Sequence, residues 1–290
     1  MRLLAALPLA TLGACALAAD SVVLSLDVHA RQLAPGEPLR MEVIAPEPLA
    51  ALEGEFLGRP VFLSRAAGEP ERWVGWTSIG LDDAARTVRL TVHGSTASGR
   101  EARGERTLSV TPKKFPREKL AVAPRFVQPP KEVEERIARE RERLDAIYAS
   151  RRALAPDERP FVRPVPGDPT SIFGSRRVYN GKPRAPHPGL DLRAATGTPV
   201  LASGPGVVAL AEDLYYSGNT IIVDHGGGLF TVYAHLSELL VHAGDTAAAG
   251  QLIARSGATG RVTGPHLHWG AKIGQEPFDP TALLDPALFR

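Results

Sequence analysis

The first part of the chain carries apolar residues at every second position. This period holds over residues 22–28 and recurs at 39–43 and 88–92, with Gly-, Pro- or Asp-containing segments between the runs. Alternation with a period of two is typical of strands with one buried face, and frequent turns favour a sandwich of short strands. We therefore predict an immunoglobulin-like β-sandwich over residues 20–112, with Trp73 and Trp76 as core or sheet-face aromatics.

Residues 113–160 have a different pattern and are predicted to connect two domains. Proline and lysine are frequent in the first half of this segment, which favours an extended linker. Residues 131–152 then place Ile137, Leu144 and Tyr148 near one helical face, with glutamate and arginine elsewhere. We predict a helix whose charged side is solvated and stabilised by pairs four residues apart.

From residue 161 the composition shifts to glycine, proline and β-branched residues. The apolar runs at 220–223 and 230–233 flank the sequence DHGGG, which is a typical β-hairpin pattern. Further short runs are separated by glycine-containing turns, and no long helical period is present. We predict a β-rich domain over residues 161–290, so that the fold class of the whole chain is mainly β.

The chain opens with the features of an export signal. Residues 1–19 contain a positive charge, an apolar run and a small-x-small site just before Asp20. The apolar run is short and contains Pro8, which argues against a membrane span. Cys15 ends a lipoprotein-like LGAC box, so a lipid anchor at Cys15 is the alternative to simple secretion. We predict removal of a signal peptide and export to the periplasm or cell envelope.

Composition narrows the classes of function. A length of 290 residues favours two domains, and an apolar fraction of 43% is ample for buried cores. A formal net charge of +2 gives no argument for binding nucleic acid. The single cysteine excludes an internal disulfide framework and a cysteine-rich zinc site. We expect a monomer without a nucleic-acid partner.

The chain has eight histidines, and half of them stand in three short motifs. These are HPGLD with His187 and Asp191, YAHL with His235, and HLH with His266 and His268. Imidazole and carboxylate are the usual ligands of zinc, and an HLH strand presents both imidazoles on one face. Each motif alone is weak, but together they indicate a zinc site, and the spacing leaves open which three residues bind the metal. The other histidines, interpreted as structural or exposed, are His29, His93, His225 and His242.

Further motifs surround these histidines and carry a resemblance to a known family. They are SIFGSRR (171–177), HPGLDL (187–192), GTPV (197–200), GNTIIVDHG (218–226), YAHLS (233–237) and TGPHLH (263–268). Residues 171–280 resemble the catalytic domain of the M23 (lysostaphin/LytM-like) zinc metallopeptidases of bacterial cell walls. One departure is Trp269-Gly270 in place of the more usual Phe-Glu. The preceding β-domain resembles, through far weaker motifs, the N-terminal domain often attached to such peptidases.

The resemblance implies a role for each residue of the motifs. It implies that His187, Asp191 and His268 ligate Zn²⁺, and it gives His235 and His266 to catalysis. A histidine beside a metal can accept or donate a proton at neutral pH, which agrees with that role. Candidates for substrate or structural contacts are Asn219 and Arg177.

These roles predict a zinc endopeptidase that cuts the peptide cross-links of peptidoglycan. The arginines at residues 176–177 could pair with a carboxylate of meso-diaminopimelate, which a glycine bridge lacks, so we expect D,D-endopeptidase activity on the D-alanyl bond. The alternative is a catalytically inactive LytM-like activator of a cell-wall amidase, but such relatives have lost ligands that this chain retains. An adhesin-like protein with a structural zinc would be expected to close its site with a fourth ligand.

Overall fold

The computed structural model describes residues 21–121, 129–150, 152 and 156–290. The predicted signal peptide, with Cys15, lies outside the described residues. In the described part of the chain, no helix combines the length and apolar character needed to cross a membrane. The chain is mainly β, as its sequence predicts.

Eight strands form the N-terminal sheet. They are β1 (Val22–Val23), β2 (Ser25–His29), β3 (Pro38–Ile44), β4 (Leu49–Phe56), β5 (Arg59–Arg65), β6 (Arg72–Ser78), β7 (Thr87–Thr96) and β8 (Glu101–Ser109). Their order is β1-β8-β7-β4-β5-β6-β3-β2, and only β1 and β8 are parallel. Strand β5 pairs first with β4 and then with β6, so it belongs to both halves of the sheet.

This sheet curls around one apolar core. Its two edge strands, β1 and β2, are separated in sequence by Leu24 alone, so the two ends of the sheet meet. The period-two residues point inward from both halves, and Leu39, Met41, Phe56 and Leu90 have no exposed surface. The alternation in the sequence therefore has the expected physical cause, one buried face per strand.

The segment between the two sheets contributes one strand and one helix. Strand β9 (Arg117–Leu120) pairs in parallel with β11 of the C-terminal half. A 3₁₀ turn (Lys131–Val133) leads into helix α1 (Glu134–Ala149). Tyr148 and Leu144 pack against a second apolar cluster on the C-terminal sheet. In the described residues of this segment, a strand precedes a helix, and both elements are docked on the C-terminal half.

The C-terminal half is built from twelve further strands. They are β10 (Pro169–Ser171), β11 (Arg176–Tyr179), β12 (Lys182–Pro183), β13 (Gly189–Arg193), β14 (Pro199–Leu201), β15 (Gly206–Leu214), β16 (Gly218–Asp224), β17 (Leu229–Leu239), β18 (Thr246–Ala247), β19 (Leu252–Ser256), β20 (His266–Ile273) and β21 (Glu276–Phe278). Two short 3₁₀ helices, Pro280–Leu284 and Pro286–Leu288, follow. The main sheet has the order β10-β13-β20-β17-β16-β15-β18, and the separate sheet β12-β11-β9 lies beside it.

The two halves share a third apolar cluster. Trp76 of β6 is fully buried there, with its ring 6.0 Å from that of Phe289, so the prediction of a core aromatic is confirmed. An ion pair also crosses the boundary, because Arg31 binds Asp279 at 2.9 Å, and the buried Arg40 binds Glu158 of the connecting segment at 2.7 Å. The halves are therefore joined by a packed interface as well as by the connecting segment.

Candidate metal centre and active site

Two neighbouring strands bring Asp191 and His268 together. Strands β13 and β20 are antiparallel, and Asp191 lies directly opposite His268. His187 precedes β13, and its backbone is fixed because its N–H donates to Ser175 and its carbonyl accepts from Gly174, both at 2.9 Å. The Pro188-Gly189 step after His187 thus directs this imidazole toward the side chains of Asp191 and His268.

The three side chains form a compact triangle of possible ligand atoms. Asp191 Oδ1 lies 2.9 Å from His268 Nδ1 and 3.0 Å from His187 Nε2, and the two histidine nitrogens are 3.0 Å apart. Within the described residues, this is the group of histidine and carboxylate side chains arranged to hold a metal ion. All three are mostly buried, so the group is shielded from bulk water.

The triangle fits a tetrahedral zinc ion. Zinc–ligand distances of about 2.0–2.2 Å place tetrahedral ligand atoms about 3.3–3.5 Å apart. The observed separations of 2.9–3.0 Å are a few tenths of an ångström shorter, a small adjustment for side chains that hydrogen bond to one another. Two imidazoles with one carboxylate also form a donor set that zinc prefers.

The electrostatics of the triangle favour metal binding. Burial lowers the pKa of His187 to about 4, although the neighbouring Asp191 carboxylate opposes the shift. Burial raises the pKa of Asp191, but the adjacent His187 and His268 side chains outweigh this effect and hold that pKa well below its usual range. At neutral pH, His187 is therefore neutral and Asp191 is charged, which are the forms that bind a metal.

His235 and His266 lie next to the triangle, and each has one ring nitrogen bound to a backbone carbonyl. The Nδ1 atom of His235 donates to Thr259 at 2.9 Å, and that of His266 donates to Gly264 at 2.8 Å. Their rings are 4.9 Å apart, and His266 Nε2 lies 3.7 Å from Asp191 Oδ1. With Nδ1 protonated, Nε2 is the basic nitrogen of each ring.

Backbone geometry at His235 shows how tightly this residue is held. It has φ of +64°, which is uncommon for a residue with a side chain, and its N–H donates to Ser217 at 2.9 Å. Burial, with His268 and His266 nearby, lowers the pKa of His235 to about 3. The ring is thus fixed in place and neutral at physiological pH.

The predicted contact residues lie near the site, but their side chains bind the protein. Arg177 Nη2 donates to Asp191 Oδ2 at 2.8 Å, so this arginine orients the carboxylate of the triangle. Asn219 donates from its side-chain amide to the carbonyl of Leu236 at 3.2 Å and so supports the strand that carries His235. The sequence analysis left open whether these two residues make substrate or structural contacts, and in the structure both side chains make structural contacts.

Three of the histidines interpreted from the sequence as structural or exposed lie away from the triangle. His225 is buried, and its ring nitrogens bind the Pro205 carbonyl at 2.7 Å and the Thr231 hydroxyl at 2.8 Å. His93 and His242 have exposed side chains. They take no part in the triangle.

Sequence reasoning missed further residues of the site, among them Leu120 and Arg261. A cleft of about 60 Å³ beside His235 and His266 is also lined by Leu120 from β9 and by Arg261. The guanidinium of Arg261 stacks on the rings of Tyr216 and Tyr179, at 4.8 and 5.2 Å. Arg261 lies only five residues before His266, in the sequence TGRVTGPHLH. This short separation is the sequence feature that could have indicated its place at the site.

Comparisons with known proteins agree with this geometry. The model of peptidase family M23 matches residues 185–280. The chain is 46% identical over 109 residues to the peptidoglycan DD-endopeptidase ShyA of Vibrio cholerae, covering 37% of this chain and 25% of that protein. It is 40% identical over 100 residues to the DD-carboxypeptidase/endopeptidase Mpg of Neisseria meningitidis, covering 34% of this chain and 23% of that protein. The chain thus spans about a quarter of the length of these curated relatives.

A solved structure matches almost the whole chain. It is a crystal structure from Pseudomonas aeruginosa described as a peptidase M23, with 30% sequence identity and a TM-score of 0.66. The match covers 87% of this chain and 95% of that one, so it includes both sheets and the segment between them. With the HPGLD, YAHL and HLH motifs converging on one buried triangle, this chain belongs to peptidase family M23.

Proposed function

We propose that the protein is a zinc-dependent endopeptidase that hydrolyses the cross-link peptides of peptidoglycan. The observation that carries this proposal is the arrangement of His235 and His266 beside the buried triangle of His187, Asp191 and His268. Three ligands with basic groups next to them form a catalytic site, whereas a structural zinc has four protein ligands. The retained set of residues also gives no support to an inactive activator of an amidase.

The metal ligands in this proposal are His187, Asp191 and His268. When bound, zinc supplies Lewis-acid chemistry, by which it activates water and polarises the scissile carbonyl. The chain's own contribution is a fixed set of donors, because Arg177 holds the second oxygen of Asp191 and the backbone anchors His187. Zinc is supported by the donor set and by the family.

His235 and His266 are proposed to move protons. Because Nδ1 of each ring donates to a carbonyl, Nε2 can accept a proton from the attacking water and, once protonated, can donate a hydrogen bond to the oxygen that gains negative charge. Burial keeps His235 in its neutral form, in which Nε2 carries the lone pair that a proton acceptor needs. The carbonyls of Thr259 and Gly264 then stabilise each ring in its protonated form, since Nδ1–H keeps its acceptor.

Arg261 is the residue that we propose to recognise the substrate. The cross-link of meso-diaminopimelate peptidoglycan carries carboxylates, which pentaglycine bridges lack, and an arginine can bind a carboxylate with two hydrogen bonds. Stacking on Tyr216 and Tyr179 keeps this guanidinium at the cleft. The sequence pattern offers the arginines at residues 176–177 for this carboxylate, but Arg177 is engaged with Asp191. The names of the relatives ShyA and Mpg support cleavage of D,D bonds by this chain.

Digestion of purified muropeptides tests the proposed function. Wild-type protein with zinc should convert diaminopimelate-type dimers to monomers, and His266→Ala, prepared in the same way, serves as the control for contaminating hydrolases. Arg261→Gln should raise KM for the dimers more than it lowers kcat. Cleavage of pentaglycine with the dimers untouched would contradict the proposed bond, and no cleavage of either substrate would contradict the enzyme assignment.

The site of action is proposed to be the cell envelope, because peptidoglycan lies outside the cytoplasmic membrane. Export requires a signal, and residues 1–19 are the proposed signal peptide. Mass spectrometry of the mature protein tests this. A start near Asp20 supports secretion, an acylated Cys15 at the N-terminus supports the anchored form, and an intact Met1 in envelope fractions contradicts both.

A further inference from the structure

Strand β9 reaches the metal centre from the segment between the two sheets. It pairs in parallel with β11, and Glu118 lies opposite Arg177. Alternate residues of a strand point to opposite sides. Glu118 and Leu120 are partly buried against the C-terminal half, whereas Arg117 and Lys119 are exposed. The inward face of β9 therefore presents a carboxylate to the site.

The Glu118 carboxylate is connected to the metal centre through one hydroxyl group. Ser171 Oγ lies 3.0 and 2.9 Å from the two carboxylate oxygens of Glu118, and 3.0 Å from His187 Nδ1. A carboxylate only accepts hydrogen bonds, and a serine has a single hydroxyl hydrogen. That hydrogen is therefore donated to Glu118, and the Ser171 oxygen accepts the Nδ1–H of His187.

This direction of hydrogen bonding selects one tautomer of His187. With Nδ1 protonated, Nε2 keeps its lone pair, and Nε2 is the atom that lies 3.0 Å from both Asp191 Oδ1 and His268 Nδ1. The Ile172 carbonyl, 3.2 Å from Nδ1, favours the same tautomer. Glu118 thus acts on the imidazole through Ser171, in the way that outer-shell carboxylates orient metal-binding histidines in proteins.

Arg177 links the same network to the second ligand. Its Nη2 atom donates to Asp191 Oδ2 at 2.8 Å and to Ser171 Oγ at 3.2 Å, and its Nε atom lies 3.7 Å from Glu118. Only 14% of the Arg177 side chain is exposed. The negative charge of Glu118 therefore balances part of the positive charge of the mostly buried Arg177 guanidinium, which would otherwise have Asp191 as its only carboxylate partner in this network.

We propose that Glu118 is a positioning residue of the metal centre, supplied by a strand that precedes the segment matched by the family model. This inference rests on the proposed function in one respect, that the triangle holds zinc. It adds that metal affinity in this chain depends on a residue from the connecting segment.

Metal titration of the full-length protein tests the inference. Zinc affinity is measured by competition with a chromophoric chelator, and the Co²⁺-substituted protein reports ligand geometry by its visible absorption. We expect Glu118→Ala to weaken zinc binding by about 10- to 100-fold and to change the Co²⁺ spectrum. Glu118→Gln keeps an acceptor oxygen of the same shape but removes the charge, so its zinc affinity should lie between those of the wild type and the alanine variant. It also serves as the test if the alanine variant does not fold.

The matched control is Lys119→Ala, on the exposed side of the same strand, which should bind zinc as the wild type does. The inference is wrong if Glu118→Ala and Glu118→Gln both bind zinc with wild-type affinity and spectrum. It is also wrong if Lys119→Ala weakens binding as much as Glu118→Ala, because the carboxylate would then be irrelevant. Failure of the wild type to bind zinc or Co²⁺ would instead overturn the proposed function.

Discussion

Gly189 leaves the space in which His268 lies, and the change Gly189→Ala is the sharpest test of the metal centre. A Cβ atom at this position would lie 2.7 Å from His268 Cε1 and 2.7 Å from the Trp269 carbonyl oxygen. Ordinary contacts of a Cβ atom begin at 3.4 Å. The carbonyl belongs to the backbone of the paired strand β20, so relief of both contacts requires the imidazole and strand β20 to move away from residue 189.

The size of that movement sets the expected effect. Restoring normal contact requires a displacement of about 0.7 Å, whereas metal–ligand distances tolerate about 0.2 Å. His268 can then no longer complete the triangle with His187 and Asp191. We expect zinc affinity to fall by more than the roughly 10- to 100-fold that follows loss of an outer-shell partner. Overpacking should also lower stability by about 1–3 kcal/mol.

Gly270 provides the matched control because it lies directly opposite Gly189 in the β13–β20 pair. A Cβ atom at Gly270 would meet its nearest neighbours at 3.5–3.6 Å, which is ordinary contact. Zinc affinity by chelator competition and denaturant unfolding without metal are measured for both alanine variants. Wild-type zinc affinity in Gly189→Ala, or equal losses in the two variants, would refute the reasoning.

Three more predictions concern the rest of the molecule. His235→Ala and His266→Ala should retain zinc by metal analysis but lose activity by about 10²- to 10⁴-fold, and loss of metal from a folded variant would contradict their role in proton transfer. Trp76→Ala should lower the free energy of unfolding by about 3–5 kcal/mol, measured by denaturant titration, and a change below about 1 kcal/mol would argue against the shared cluster. The hydrogen bond from Arg72 lowers the pKa of Glu158, so Glu158→Gln should reduce the free energy of unfolding above pH 4.5. The difference from wild type should fade as the pH falls further, and a pH-independent difference would exclude the ion pair.

The sequence predicts the parts of this molecule in which one local pattern decides the structure. Period-two alternation identifies the N-terminal strands, because burial of one face needs no distant partner to be recognised. His266 and His268 emerge on one face of β20, and both nitrogens lie within 3.7 Å of Asp191 Oδ1, as the HLH spacing suggests. These features are short-range in the chain.

The connections between distant segments could not be predicted in this way. Strand β9 has the sequence REKL, whose charged residues show no apolar face, and its partner β11 lies far along the chain. Arg177 contacts Asp191 Oδ2 rather than standing free for substrate, and the spacing of residues in the sequence does not show where that oxygen points. Such contacts depend on tertiary packing and follow no short-range period.

The apolar cluster shared by the two sheets has a consequence for cooperativity. Trp76 of the N-terminal sheet and Phe278 and Leu283 of the C-terminal half have no exposed surface, because each covers the other. Unfolding either sheet alone would expose this whole surface to water, at a penalty proportional to its area. The two sheets are therefore expected to unfold in a single transition, so a destabilising substitution remote from the cleft will also unfold the metal centre.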